Sequence, residues 1–246
     1  MTGIRAIVSG HSRGLGAAIA AELLERGVPV LGLARQGNAA LAVAHGGQLA
    51  EVALDLADTE ALAAWLAAGG LADWLGDTDE ALLINNAGTL QPMGPLPLQD
   101  PATVAHAVAI NVAAPLMLAA AFARADGIRE RRVLHVSSGA ARAAYAGWSV
   151  YCATKAALDH HARAVQMDAT PGLRICALAP GVIDTDMQGE IRAIAPERFP
   201  MRERFVDLKR SGSLVAPEAC AMHLVDFMLD ADFGRSPVAD LRDLMQ

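Results

Sequence analysis

The chain has 246 residues, 53% hydrophobic and 19% charged, which is enough apolar content for a sizeable core and excludes whole-chain disorder. Its 27 acidic residues outnumber its 20 lysines and arginines, for a formal charge of −7. That balance excludes a diffuse nucleic-acid footprint, because phosphate binding needs a basic surface.

In chain order, β-rich runs alternate with helical ones. Ile4–Val8 reads as a strand and Gly14–Arg26 as a helix. The short apolar run before Gly10 is too brief for an export signal. Val28–Leu33 and Gln48–Leu54 read as strands two and three, followed by a helix over Thr59–Ala68. Ala81–Ile84 reads as strand four. Pro101–Ala123 then carries no Asp, Glu, Lys or Arg, yet contains His106, Asn111, Pro115 and many alanines. It reads as a buried or interface helix and not as a membrane span. Arg132–Val136 is strand five, Ser149–Asp168 a helix, and Arg174–Ala179 strand six. Val182–Ser213 shows no period and is rich in charge, the pattern of a mobile cover. Pro217–Leu229 reads as a last helix, with a short strand expected near Val238. Helices of this length between strands call for a parallel sheet covered on both faces. Right-handed crossovers make it a doubly wound α/β sheet, a Rossmann fold, in one domain spanning 1–246. Aromatic residues are only 4%, which suits small aliphatic side chains packed between helix and sheet. Cys152, Cys176 and Cys220 are odd in number and lack ligand spacing. They read as reduced thiols of a cytoplasmic protein, with no metal site.

The first strand runs into Gly10-His11-Ser12-Arg13-Gly14-Leu15-Gly16. Glycines there permit a tight turn and a close approach of phosphate to the backbone, and the following helix offers free N–H groups and its positive dipole end. A fold that prefers NAD places an acid near the end of strand two to bind the ribose 2′-hydroxyl. This strand instead ends Leu33-Ala34-Arg35, and Arg13 lies in the turn. Two arginines and no acid point to a 2′-phosphate, hence NADP(H). The role of His11 is left open.

Tyr151 and Lys155 stand four residues apart on one helix face. An ammonium beside a phenol favours the phenolate, so the expected shift of the Tyr151 pKa is downward. Ser138 lies at the carboxyl end of strand five, where ligands sit in open α/β sheets. Asn85-Asn86-Ala87-Gly88 leaves strand four at the same edge, and Asn111 interrupts an apolar helix.

Gly10-x-x-x-Gly14-x-Gly16, Asp55-Leu56, Asn85-Asn86-Ala87-Gly88, Asn111, Ser138, Tyr151-x-x-x-Lys155 and Pro180-Gly181 fall in the order and spacing of the short-chain dehydrogenase/reductase family, and the chain resembles it over nearly its whole length. The runs Leu82–Gly88, Gly147–Cys152, Ala179–Gln188 and Leu208–Leu214 resemble sepiapterin reductases and bacterial benzil reductases more narrowly. The resemblance implies reduction of a carbonyl by hydride transfer from NADPH. It implies Tyr151 as general acid, Lys155 as its electrostatic partner and holder of the nicotinamide ribose, Ser138 as the group that polarises the carbonyl, and Asn111 as the holder of a relay water. It places Gly10, Ser12, Arg13, Gly14, Leu15 and Gly16 along the pyrophosphate and adenosine end, Arg35 on the 2′-phosphate, and Asp55 with Leu56 at the adenine. Asn86, Ala87 and Gly88 would flank the adenosine ribose, and Pro180, Gly181, Ile183 and Thr185 the nicotinamide side. Ser9 replaces the family's usual Thr and keeps its hydroxyl. Trp148 and Met187 are expected on the substrate wall; Asp240 falls about where sepiapterin reductases hold the pterin with a carboxylate, and reads alternatively as a surface or dimer-edge acid. A homodimer is the family's default.

Other readings compete. An alcohol dehydrogenase or acyl-carrier reductase of the same family would lack the narrower runs. A non-catalytic NADP-binding sensor would lose Tyr151, Lys155 or Ser138, and all three are present. A methyltransferase would want an acid at the end of strand two.

Overall fold

The computed structural model describes residues 3–244. Seven strands form one parallel sheet in the order β3-β2-β1-β4-β5-β6-β7. They are β1 Ile4–Ser9, β2 Val30–Ala34, β3 Leu49–Ala53, β4 Glu80–Asn85, β5 Glu130–Val136, β6 Leu173–Ala179 and β7 Val238–Asp240. All seven expected strands are present, with ends displaced by one or two residues. The doubly wound sheet is therefore observed as read.

Strand side chains are apolar toward both faces because both faces are covered. On one, Val8, Ile84, Leu134 and Leu178 lie under α1 (Gly14–Glu25) and α10 (Pro217–Leu229). On the other, Ile7, Leu33, Leu83 and Val133 lie under α3 (Thr59–Ala67), α4 (Gly70–Leu75), α6 (Ala114–Ala123) and α7 (Ser149–Met167). The winding reverses between β1 and β4, which opens a crevice at their carboxyl ends. Ser9, Asn85 and His135 stand in register there, so three strands stop at one level.

The expected helix over Pro101–Ala123 is continuous but not uniform. Asp100 caps its start by accepting the Thr103 N–H at 2.9 Å. After α5 (Pro101–Val108) one turn widens into a π-helix, Ala109–Ala113, before α6. Pro115 has no N–H to return to the carbonyl of Asn111, and the wide turn absorbs that gap. Asn111 therefore points inward, buried. Of the most apolar stretch in Pro101–Ala123, only 33% is buried.

Two short helices escape the sequence pattern. In α2 (Ala39–Ala44) no residue is buried, so no apolar period is written into it, and α4 is only six residues long. The stretch 182–213, expected to lack regular structure, instead contains α8 (Asp186–Ala193) and α9 (Arg202–Arg210). Each buries one or two side chains in a charged background, too few to show a helical period. The base of the segment is pinned: Val215 N–H donates to Val182 O at 3.0 Å, and Asp184 N–H to Val215 O at 2.9 Å. Its apolar residues join a third cluster of Leu90, Met93, Trp148, Tyr151, Ile191, Phe199 and Phe205, away from the two sheet faces. A four-residue helix, α11 (Leu241–Leu244), follows β7.

Candidate active site

The crevice holds a cavity of about 920 Å³ that runs from the glycine turn across the strand ends to α8 and α9. Its construction starts at the end of β1. Ser9 Oγ accepts the N–H groups of Asn86 (3.0 Å) and Ala87 (3.1 Å). The Asn86 amide donates to the carbonyls of Ser9 (3.0 Å) and Gly10 (3.3 Å). The hydroxyl retained at Ser9 is thus the group that latches β1 to the exit of β4. Helix α1 then packs so close that a Cβ at Gly16 would lie 2.1 Å from Gly10 O. The turn itself needs Gly10 at φ +72°. No side chain caps the start of α1, so its first N–H groups remain available at the cavity wall. That is the chemistry an anionic pyrophosphate requires.

At the other end, β5 delivers Ser138, and the first turns of α7 deliver Tyr151 and Lys155. Ser138 Oγ accepts the Ala140 N–H at 3.1 Å and hydrogen-bonds Tyr151. Lys155 Nζ donates to Val136 O at 2.7 Å and lies 5.7 Å from the centre of the Tyr151 ring. Burial pushes the Tyr151 phenol up to about 12, partly countered by the Ser138 hydrogen bond. This is opposite to the downward shift expected from its lysine neighbour. The ammonium is bonded to a backbone carbonyl and faces the ring, so desolvation of the phenolate dominates. Burial also draws Lys155 down to about 8, with Asp159 pulling the other way.

The structure brings nearly all the expected site residues to this one cavity. Gly10, Ser12, Arg13, Gly14, Leu15, Gly16, Arg35, Asp55, Leu56, Asn86, Ala87 and Gly88 line one end. Ser138, Trp148, Tyr151, Lys155, Pro180, Gly181, Ile183, Thr185 and Met187 line the other. Arg13, exposed, also pairs with Asp186 at 3.2 Å. Asn111 and Asp240 stand outside the lining. The Asn111 amide is engaged behind the wall, accepting from Thr89 N–H (2.8 Å) and donating to Thr89 O (2.9 Å) and Thr154 Oγ1 (3.2 Å). Asp240 is buried at the end of β7, where its carboxylate accepts from Arg242 Nε (2.8 Å) and Nη2 (2.7 Å). The arginine, not the acid, lines the cavity.

The residues from 5 to 195 match the short chain dehydrogenase family. The chain belongs to that family. Its members are nicotinamide-dependent oxidoreductases, and the crevice has the form such a cofactor needs. Among this short-chain dehydrogenase's relatives, a benzil reductase ((S)-benzoin forming) of Bacillus cereus is 33% identical, covering 94% of this chain and 96% of its own. A sepiapterin reductase of Xenopus laevis is 31% identical, covering 94% and 92%. A solved short-chain dehydrogenase/reductase from Burkholderia vietnamiensis is 50% identical, covers 99% of both chains and superposes with a TM-score of 0.72.

The end of the cavity away from the glycine turn holds residues that the sequence did not single out. Trp148 stacks on Phe199 (centroids 4.5 Å apart) and meets Tyr151 edge-on (5.3 Å) and Phe205 (5.5 Å). Phe205, Ile191 and Leu208 face the cavity with it, as do Leu90 and Tyr145. Phe199 and Phe205 are two of only five phenylalanines, set in a charged stretch, and that isolation was the available signal. Arg242 carried none. The chain has two tyrosines, so subtracting the phenolate absorbance titration of Tyr151→Phe from wild type isolates the Tyr151 phenol. In the ligand-free protein it should stay protonated until pH approaches about 12. A midpoint below the ordinary phenol value of about 10 would contradict the dominance of burial.

Proposed function

We propose that this enzyme reduces a carbonyl compound to an alcohol with NADPH. The observation that carries the reading is the cavity joining an uncapped helix N-terminus, with Arg13 and Arg35 and no acid at the end of β2, to a Ser138–Tyr151–Lys155 group. When bound, the cofactor supplies the hydride. The chain's own residues do the rest. The hydroxyls of Ser138 and Tyr151, which line the cavity together, receive the carbonyl oxygen and orient it. Burial keeps the Tyr151 phenol protonated in the ligand-free site, and Tyr151 gives its proton to the developing alkoxide. The Lys155 ammonium then stabilises the phenolate from a fixed position on Val136 O. Trp148, Phe205 and Ile191 exclude water from the reacting carbonyl. Asn111 holds the Thr89 backbone and Thr154 in place beside this group, and its turn would hold a relay water toward Lys155.

Arg13 and Arg35 would hold the 2′-phosphate, since an acid at the end of β2 is absent and two guanidiniums favour the extra charge. The substrate wall is aromatic and aliphatic, which favours an apolar aromatic ketone or α-diketone of the kind named for the benzil reductase relative. Asp240 is engaged by Arg242, which weighs against the pterin side chain named for the other relatives. The segment 182–213 acts as the substrate cover of this single NADP-binding domain. The three free cysteines fit a cytoplasmic enzyme.

The test is loss of NADPH absorbance with benzil, a smaller diketone and sepiapterin, each repeated with NADH. Turnover of benzil with NADPH, at least ~10-fold better than with NADH, is expected. Preference for NADH, or no turnover of any of the carbonyls, would overturn the reading. The incompletely buried Pro101–Ala123 helix, with exposed Val108 on α5 and Met167 at the end of α7, supports an isologous dimer across α5–α7. Sedimentation at micromolar concentration should give twice the chain mass; a monomer would remove the dimer.

A further inference from the structure

His11 is completely buried in the middle of the glycine turn, yet it does not line the cavity. Its ring lies flat against β2 at Gly32, where a Cβ would stand 2.3 Å from the imidazole. Only glycine at that position lets the ring pass over β2 to reach β3. There His11 Nε2 lies 2.7 Å from Glu51 Oε1, and Glu51 is the residue in register with Gly32. The carboxylate requires a proton on Nε2, and Nδ1 has no hydrogen-bond partner among the described residues.

Glu51 Oε1 also accepts the Asn38 N–H at 2.6 Å. Asn38 in turn donates from its amide to Ser12 O (3.2 Å) and caps α2 by accepting Leu41 N–H (3.1 Å). The four groups close a ring: turn residue His11, strand residue Glu51, loop residue Asn38, and turn residue Ser12. Burial raises the Glu51 pKa, but the bonds from Asn38 and His11 more than offset this, so the net shift is downward and the carboxylate stays ionised. The loop that the ring holds, between β2 and α2, carries Arg35 and Gln36 into the cavity beside Ser12 and Arg13. Glu51 itself does not reach the cavity lining.

We propose that His11, Glu51 and Asn38 are positioning residues that lock the β2–α2 loop to the glycine turn and keep the Glu51 carboxylate turned away from the rim, and that this clamp sets the enzyme's selectivity for an adenosine 2′-phosphate. The proposal rests on the NADPH reading above. Without the His11 donor, the loop that presents Arg35 loses its anchor to the turn and a carboxylate is released near a phosphate site. Both changes act against the 2′-phosphate and neither touches the rest of the adenosine.

Calorimetric binding of adenosine 2′,5′-bisphosphate and of adenosine 5′-monophosphate tests this without turnover. In wild type the bisphosphate should bind at least ~10-fold tighter, the worth of one charge-assisted hydrogen bond. His11→Ala should lower that ratio ~10-fold, while His11→Gln, which keeps an N–H donor, should retain most of it. Asn38→Ser keeps a capping hydroxyl but cannot reach Ser12 O, and should lower the ratio in the same direction. A structural effect alone would weaken both ligands together and leave the ratio intact. An unchanged ratio in His11→Ala, or in Asn38→Ser if the first variant does not fold, overturns the clamp and leaves the NADPH reading standing. A wild-type ratio near one overturns that reading and the clamp with it.

Discussion

Ser9 Oγ takes the N–H groups of Asn86 and Ala87, and the Asn86 amide returns two bonds to the carbonyls of Ser9 and Gly10. This latch joins the two strands between which the sheet's winding reverses. It holds the crevice at a fixed width, with the glycine turn on one lip and Ala87-Gly88 on the other. The close approach of α1 at Gly16 follows from it, because Gly10 O and the Asn86 amide occupy the space a side chain would need. Gly88 extends the same logic toward the chemistry: a Cβ there would lie 3.1 Å from Asn111 Oδ1. The backbone from the glycine turn to α7 is thus one packed chain of contacts.

Burial is the second constraint. Tyr151 and Lys155 sit under Trp148 and the α8–α9 segment, where the desolvation cost falls on whichever form of each group is charged. The phenol is driven up to about 12 and the ammonium down to about 8, so two values that ordinarily lie close together move apart. Burial thus biases both groups toward their neutral forms. The pairing depends on the cover, which is why residues as distant in sequence as Phe199 and Phe205 belong to the account of the site.

The strands, the crevice and the meeting of Tyr151 and Lys155 within it were legible in the sequence because each rests on a local pattern: buried runs of Val, Ile and Leu, a glycine turn leading directly into a helix, and a Tyr–Lys pair on one helix face. What escaped the sequence depends on contacts between distant segments. The helices α8 and α9 bury so few side chains that charge hides their period. Lys155 was expected to lower the tyrosine's pKa because spacing shows proximity along a helix but not which acceptor, here Val136 O, claims the ammonium. Asp240 is buried at the end of β7, where its partner Arg242 lies only two residues on, and the turn that brings their side chains together is not written in either residue. His11 had no reading at all until Gly32 and Glu51 were seen across two strands.

The central claim is that Tyr151 delivers the proton in a cavity whose binding functions do not depend on it. Removing only the phenolic oxygen, in Tyr151→Phe, and measuring turnover together with NADPH affinity tests this most directly. The account predicts loss of at least ~100-fold in kcat, the lower range for a general acid, with NADPH bound about as tightly as in wild type. Turnover retained at the wild-type rate would contradict it.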